Sequence, residues 1–224
     1  MLKDKRKEVV VDLSNYSLMH KLFLLLFSSL LLAQTYPSFS KQELRQIEKK
    51  DKIAKNRIVY YEKNIKNLKN KSKKEQLKKI NFQLNRLLPQ YDSIINKKED
   101  NWATPKEFLR IGYGDCEDYV IIKYYSLIRL GFNEKKLFLT VVKEKYKGGL
   151  HMVLSYFHKK DKAPLILDNL SFKILDLKTR TDLEPLVFIN STGVFKLSKD
   201  YKLKKIAQKY KEFEELKKKI VLNL

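Results

Sequence analysis

The segment from Gly112 to Gly131 constrains this chain more than any other, because it specifies one helix and sets a singular side chain at its start. Val120, Ile121, Tyr124, Tyr125, Leu127 and Ile128 recur at helical spacing and stop at Leu130-Gly131, a normal helix end. Ahead of them stands Tyr113-Gly114-Asp115-Cys116-Glu117-Asp118-Tyr119, which holds the only cysteine. Cys116 therefore falls in the first helical turn, where free backbone N–H groups and the helix dipole favour a thiolate. The three carboxylates beside it push the other way, so a thiolate there needs a positive partner, a histidine or a metal. A lone cysteine is also at home as a small buried hydrophobe, and acids in a first turn are ordinary complements of the dipole.

Histidine is scarce: the chain has His20, His151 and His158. His151 opens the apolar run Leu150 to Phe157, just after Gly148-Gly149, a pair suited to a tight turn between strands. Pro164 to Asn169 reads as a neighbouring strand that ends in Asp168. Cysteine, histidine and aspartate in that order fit a triad, in which the imidazole takes the thiol proton and the acid fixes the ring's tautomer. His158, followed by Lys159-Lys160-Asp161-Lys162, reads as a solvated surface residue.

The remaining pattern is helices followed by strands. Ile47, Ala54, Ile58, Tyr61, Ile65 and Leu68 share one helical face, and Leu77, Ile80, Leu84 and Leu87 mark a second helix. Thr104-Pro105-Lys106-Glu107 is a capping box with proline at the first helical position, and that short helix should end near Gly112. Trp102 is expected to pack under the cysteine helix. Three strands come next, over 136–146, 150–157 and 164–168, joined by connections short enough for antiparallel pairing. Val187 to Ile189 and Val194 to Leu197 suggest a further hairpin, and Asp200 to Leu224 reads as a charged helix marked by Ile206, Tyr210, Phe213 and Leu216. Helices first, then a cysteine-bearing helix against an antiparallel sheet, is an α+β layout.

At the amino-terminal end, Lys21 to Ala33 forms a basic-flanked apolar core of the kind found in secretory signals, too short to span a bilayer as a typical helix. Residues 1–33 are thus expected to be a signal peptide or anchor behind a charged leader, with Met19 the more usual beginning for such a signal. Residues 34–224 suffice for one domain, comprising a helical part over 34–100, a core over 101–198 and a C-terminal helix over 199–224. One cysteine rules out an internal disulfide and suits an exported protein with a free thiol. Net charge is +22, of which +20 remains without residues 1–33. Between Lys41 and Asp100 the eighteen Lys/Arg mostly fall opposite the apolar face, so they read as a solvated side. There is no base-stacking pattern of basic and aromatic residues and no nucleic-acid motif, so no nucleic-acid partner is expected.

The chain resembles the bacterial transglutaminase-like cysteine proteinases. The resemblance is carried by Trp102-Ala103-Thr104-Pro105 with Glu107, Gly112 to Tyr119, Lys123-Tyr124, Leu130-Gly131, His151 to Leu154, and Pro164 to Leu170. It continues more loosely through Arg180, Asp182-Leu183, Phe188 and Asn190. It implies a papain-like, transglutaminase-like fold and a catalytic Cys116, His151 and Asp168. It also implies a calcium ion held by Asp115, Glu117 and Asp118. The adhesin-processing members of that family further imply a periplasmic enzyme whose substrate is the N-terminal region of a large surface adhesin, released to disperse a biofilm. They imply as well an inner-membrane receptor that sequesters the protease under second-messenger control. Two other readings stay open: an amidase or transglutaminase using the same triad, and a non-enzymatic basic binding module with an incidental thiol.

Overall fold

Ser40 accepts from the Glu43 amide while the Glu43 carboxylate accepts from the Ser40 amide. This capping box starts the first helix of the computed structural model, which describes residues 36–89, 101–146 and 148–222. The signal reading at 21–33 lies outside the described residues, and among these no helix is long and apolar enough to cross a membrane. Helix α1 (Lys41–Lys50) stops at Asp51, whose extended backbone interrupts the periodic run. The Asp51 carboxylate then accepts from the Ile53 and Ala54 amides and caps α2 (Lys52–Leu68). The face read as continuous from Ile47 to Leu68 is therefore split, because an N-cap acid inside a periodic pattern restarts the helix. Helix α3 (Lys73–Leu84), capped by Ser72, buries Leu77, Ile80 and Leu84.

The short helix α4 (Pro105–Ile111) begins with the expected capping box of Thr104 and Glu107 and ends at Gly112, which adopts φ 87°. A side chain on Gly112 would overlap the Arg57 guanidinium, which is fixed by donating to the carbonyls of Leu109 and Arg110. Two-residue strands β1 (Leu88–Pro89) and β2 (Tyr113–Gly114) pair in parallel and aim the chain into α5 (Cys116–Arg129). A single 3-10 turn, Glu134–Lys136, leads into the main sheet.

That sheet contains β3 (Leu137–Glu144), β4 (Leu150–Tyr156), β5 (Leu165–Asp168), β6 (Ser171–Asp176), β7 (Leu183–Asn190), β8 (Gly193–Leu197) and β9 (Leu203–Ala207). Its order is β6-β5-β4-β3-β7-β8-β9, antiparallel throughout. Gly148 and Gly149, both at positive φ, turn β3 into β4. Alternation along the strands sorts the core. Leu137, Leu139, Leu154, Leu167 and Ile189 meet the helices, whereas Phe138, Val142, Val153, Ile166 and Phe188 build a second cluster. The fold is α+β, with the cysteine-bearing helix against the sheet.

Two strands had no clear mark in the sequence. β6 alternates only weakly, all its residues being half-buried or exposed. The segment from 199 onward is not one helix: Tyr201, at φ 61°, turns β8 into β9, and Ile206 is an exposed strand residue. Only α6 (Lys211–Leu222) is helical there, burying Phe213, Leu216 and Ile220 over the helical layer. The helical spacing of Ile206 with Tyr210 is coincidental.

Candidate active site

Asp115 is the N-cap of α5, and Cys116 is its first helical residue. The half-buried thiol donates to Glu117 Oε2 at 3.2 Å and accepts from the backbone N–H of Met152. It therefore faces β4 at the residue next to His151. Cys116, Glu117 and Trp102 line one cleft of about 190 Å³ together with His151, Met152 and Tyr210. Larger hollows, of about 350 and 520 Å³, lie beside α2 and α3 and beside β3 and β9, and neither is lined by a cysteine or histidine. Burial pushes the Cys116 thiol well above its usual range; the Glu117 charge, the hydrogen bond to Glu117 and the Asp115 charge push the same way. The thiol rests as a neutral group.

His151 is the second residue of β4 and Asp168 the last of β5, so antiparallel pairing brings both to one end of the sheet. His151 Nε2 lies 2.9 Å from Asp168 Oδ1, which also accepts from the Leu170 amide. This leaves Nδ1 as the ring nitrogen available to the cleft. Asp168 Oδ2 accepts from Arg180 Nη2 at 2.8 Å, and Arg180 is itself held by Asp182. Asn85 on the loop after α3 donates to the Asp168 carbonyl. Burial alone would raise the Asp168 carboxyl, which is fully enclosed. The bonds from His151, Leu170 and Arg180 outweigh it and hold the group well below the usual carboxylate range. Asp168 is a carboxylate at any working pH.

The three acids read as calcium ligands come to the helix start but not to a single point: among the described residues no three Asp, Glu, His or Cys side chains are grouped to hold an ion. Asp118 is buried, and its Oδ1 accepts from the Ala103 amide. Glu117 and Asp115 hydrogen-bond each other, and Glu117 is raised by burial, with the Asp118 charge adding to it. Two carboxyl groups in such contact are stable only with a proton or a cation between them. Hard oxygens of this kind suit calcium, so the donor set fits that ion while its full coordination shell does not preexist.

Arg180 stands in the site, though the sequence pattern gave it no role. The readable signal for Arg180 was its spacing of two from Asp182, which forms the fork that grips Asp168. Lys123 is among the residues that carry the resemblance, but nothing in the pattern marked it as buried, since a lysine within an amphipathic helix reads as solvated. Trp102 is buried and stacks on Tyr210 with ring centroids 6.0 Å apart, forming a wall of the cleft as well as packing. His158 is half-buried beside Tyr156 and absent from the cleft lining.

Residues 51–184 match the model of the family described as bacterial transglutaminase-like cysteine proteinase. Solved structures of LapG from Legionella pneumophila are similar. One, titled calcium-bound, has 32% identity and a TM-score of 0.68, covering 79% of this chain and 98% of that one. A second, titled EGTA-treated, has 31% identity and the same TM-score, covering 79% and 97%. A third has 32% identity and a TM-score of 0.67, covering 82% and 97%. No curated protein sequence matches the chain at a significant level.

Proposed function

The chain belongs to the bacterial transglutaminase-like cysteine proteinases, and from that membership we propose a calcium-dependent cysteine endopeptidase built on Cys116, His151 and Asp168. The observation that carries the reading is the buried His151–Asp168 pair, at 2.9 Å, opening onto a cleft shared with the only thiol. Nδ1 of His151 takes the Cys116 proton, and the sulfur attacks a peptide carbonyl. The imidazolium then returns the proton to the leaving amine, and the freed imidazole takes one from the water that hydrolyses the thioester. Asp168, a carboxylate throughout, holds the ring through Nε2 and stabilises its charge. The Cys116 N–H, at the first helical position, has no partner within the helix and is the donor proposed for the oxyanion. Calcium, held by Asp115, Glu117 and Asp118 with further oxygens from carbonyls or water, supplies positive charge that offsets the acids beside the thiol.

The substrate we assign is the N-terminal region of a large surface adhesin, whose cleavage releases the adhesin and promotes biofilm dispersal. The compartment is the periplasm, reached through the segment at 21–33. An inner-membrane second-messenger receptor is the proposed regulator. The likeness to LapG and the exported-type N-terminus support these assignments. The test is cleavage of a panel of adhesin N-terminal fragments by the chain lacking residues 1–33. Wild type and Cys116→Ala are compared, each with calcium and with a chelator. Cleavage should vanish in the variant and in chelator. Cleavage that persists in Cys116→Ala refutes the triad, and intact fragments throughout would move the activity to amide or glutamine substrates.

A further inference from the structure

The hollow of about 520 Å³ beside β3 and β9 is bounded by three connections: the 3-10 turn before β3, the turn from β4 to β5 and the turn from β8 to β9. Its floor is apolar. Phe138 and Phe157, with ring centroids 5.3 Å apart, line it together with Leu203, and all three belong to the second apolar cluster. Its rim is basic. Lys135 and Lys136 come from the first connection, Lys159 and Lys160 from the second and Lys202 from the third, against one lining acid, Asp161. All five lysines are exposed. Lys202 is paired with Asp200 at 2.6 Å, and among the described residues the other four make no ion pair.

Ammonium groups gathered around one depression repel one another, so the fold gains nothing by collecting them. Backbone strain collects at the same place. Among the described residues two that are not glycine adopt positive φ, Asp161 at 53° and Tyr201 at 61°, and both line this hollow. The conformation is unfavourable for a bulky residue such as tyrosine, and residues held in this way cluster at ligand clamps and switch regions. A bilayer is a poor complement, because Phe138 is 2% exposed and no apolar group of the floor projects far enough to enter a membrane interface. A recessed apolar floor inside a basic rim is matched instead by an apolar side chain on an acidic chain, whose flanking carboxylates meet the lysines.

We propose that this hollow is a docking site for an acidic polypeptide segment that carries one large apolar side chain. His151 stands near the start of β4 and Phe157 just past its end, roughly 20 Å away at about 3.3 Å per residue. An occupant therefore leaves the catalytic cleft open, and the inference does not depend on the acyl-transfer reading.

The test is fluorescence anisotropy of a short fluorescein-labelled peptide of Asp and Glu with one central Phe. It is added to the full chain carrying Cys116→Ala, so that the peptide stays intact. Lys159→Glu with Lys160→Glu should weaken binding on the order of tenfold, since each exposed ion pair contributes a factor of about 1–5. Lys63→Glu with Lys66→Glu, the same change of charge on the exposed side of α2, should weaken it about twofold or less. A peptide with Ala in place of Phe should bind on the order of tenfold more weakly. Equal losses from the two double variants reduce the effect to net charge and overturn the proposal, as do equal affinities of the Phe and Ala peptides. Phosphatidylglycerol vesicles form a separate arm: cosedimentation that depends on Lys159 and Lys160, with no peptide binding, assigns the hollow to a lipid surface and overturns the proposal. Should the Lys159 and Lys160 double variant not fold, backbone amide shifts on adding the Phe peptide to the Cys116→Ala chain decide. Shifts confined to the three connections support the proposal, and shifts spread over α2 overturn it.

Discussion

Arg180→Met tests the electrostatics of the site most directly. Asp168 is fully buried, and the 2.8 Å bond from Arg180 Nη2 satisfies its Oδ2. Methionine preserves the bulk of the stem and leaves that oxygen without a donor. Breaking one side of a buried ion pair typically costs about 3–5 kcal/mol, and the bonds that Asp168 keeps to His151 and the Leu170 amide place this case near 3 kcal/mol. The Asp182 side of the same guanidinium is a third exposed, and its loss adds about 0–1 kcal/mol. For a domain of this size about 3 kcal/mol lowers Tm by roughly 6–12 °C. The assay is thermal unfolding by circular dichroism at pH 7 and at steps down to pH 4. The sign is set by Asp168: its carboxyl is depressed in the fold, so its contribution is present above 3.8, the ordinary value, and is lost as pH falls through the folded value. Without Arg180 that folded value rises, protonation relieves the buried charge earlier, and the gap between variant and wild type narrows toward acid. A loss under about 1 kcal/mol at pH 7 would refute the reasoning.

Three further outcomes are expected. Glu117→Gln should raise the Tm in chelator, because the Glu117 carboxyl is raised by burial and by Asp118 and is thus a penalty at neutral pH; the same variant should lose most of the calcium-induced rise, about 2.7 kcal/mol for wild type at a hundredfold excess over Kd. Gly114→Ala should cost about 1–3 kcal/mol in urea unfolding, since the new Cβ would lie 2.5 Å from Asp118 Oδ2 and 2.8 Å from its Cβ, forcing a buried side chain off the Ala103 amide. Lys123→Met should be more stable than wild type at pH 6, since burial penalises the charged amine; because the folded amine titrates at about 7 against 10.5 unfolded, that advantage fades between those values and is gone above them, which urea unfolding at pH 6 and pH 11 checks.

The helices and the central strands were legible because each carries local chemistry that tertiary structure has no reason to override. Thr104-Pro105-Lys106-Glu107 caps α4 wherever it is placed, and the continuous apolar run after Gly149 is buried on both faces as β4. The break at Asp51 was missed because apolar spacing runs straight through it; the signal was the acid itself, positioned to cap α2. β9 was missed because Lys204 and Lys205 face solvent and Ile206 is half exposed, so the strand exists only through its pairing with β8. At the site, the order of Cys116, His151 and Asp168 was visible, but the fork of Arg180 was not. A surface-type residue becomes structural there only because β5 and the loop before β7 converge, which sequence separation does not encode.

The state of the thiol shows how the pieces depend on one another. A helix N-terminus stabilises an anion by about 0.3–1 kcal/mol, less than one pKa unit. Against it stand burial, Glu117 at 3.2 Å and Asp115, which together leave the Cys116 thiol well above its ordinary value. The dipole, persuasive from sequence alone, is therefore the smaller effect. Ionisation of Cys116 must draw on positive charge from two other places: the proton that moves onto His151, steadied by Asp168, and whatever neutralises Asp115 and Glu117. The acids beside the Cys116 thiol are thus coupled to the proposed triad by the same electrostatics that Arg180 exerts on Asp168 from its far side. A substitution on either side should shift the behaviour of the other, and double-mutant cycles between Glu117 and Arg180 should give coupling energies that distance alone would not suggest.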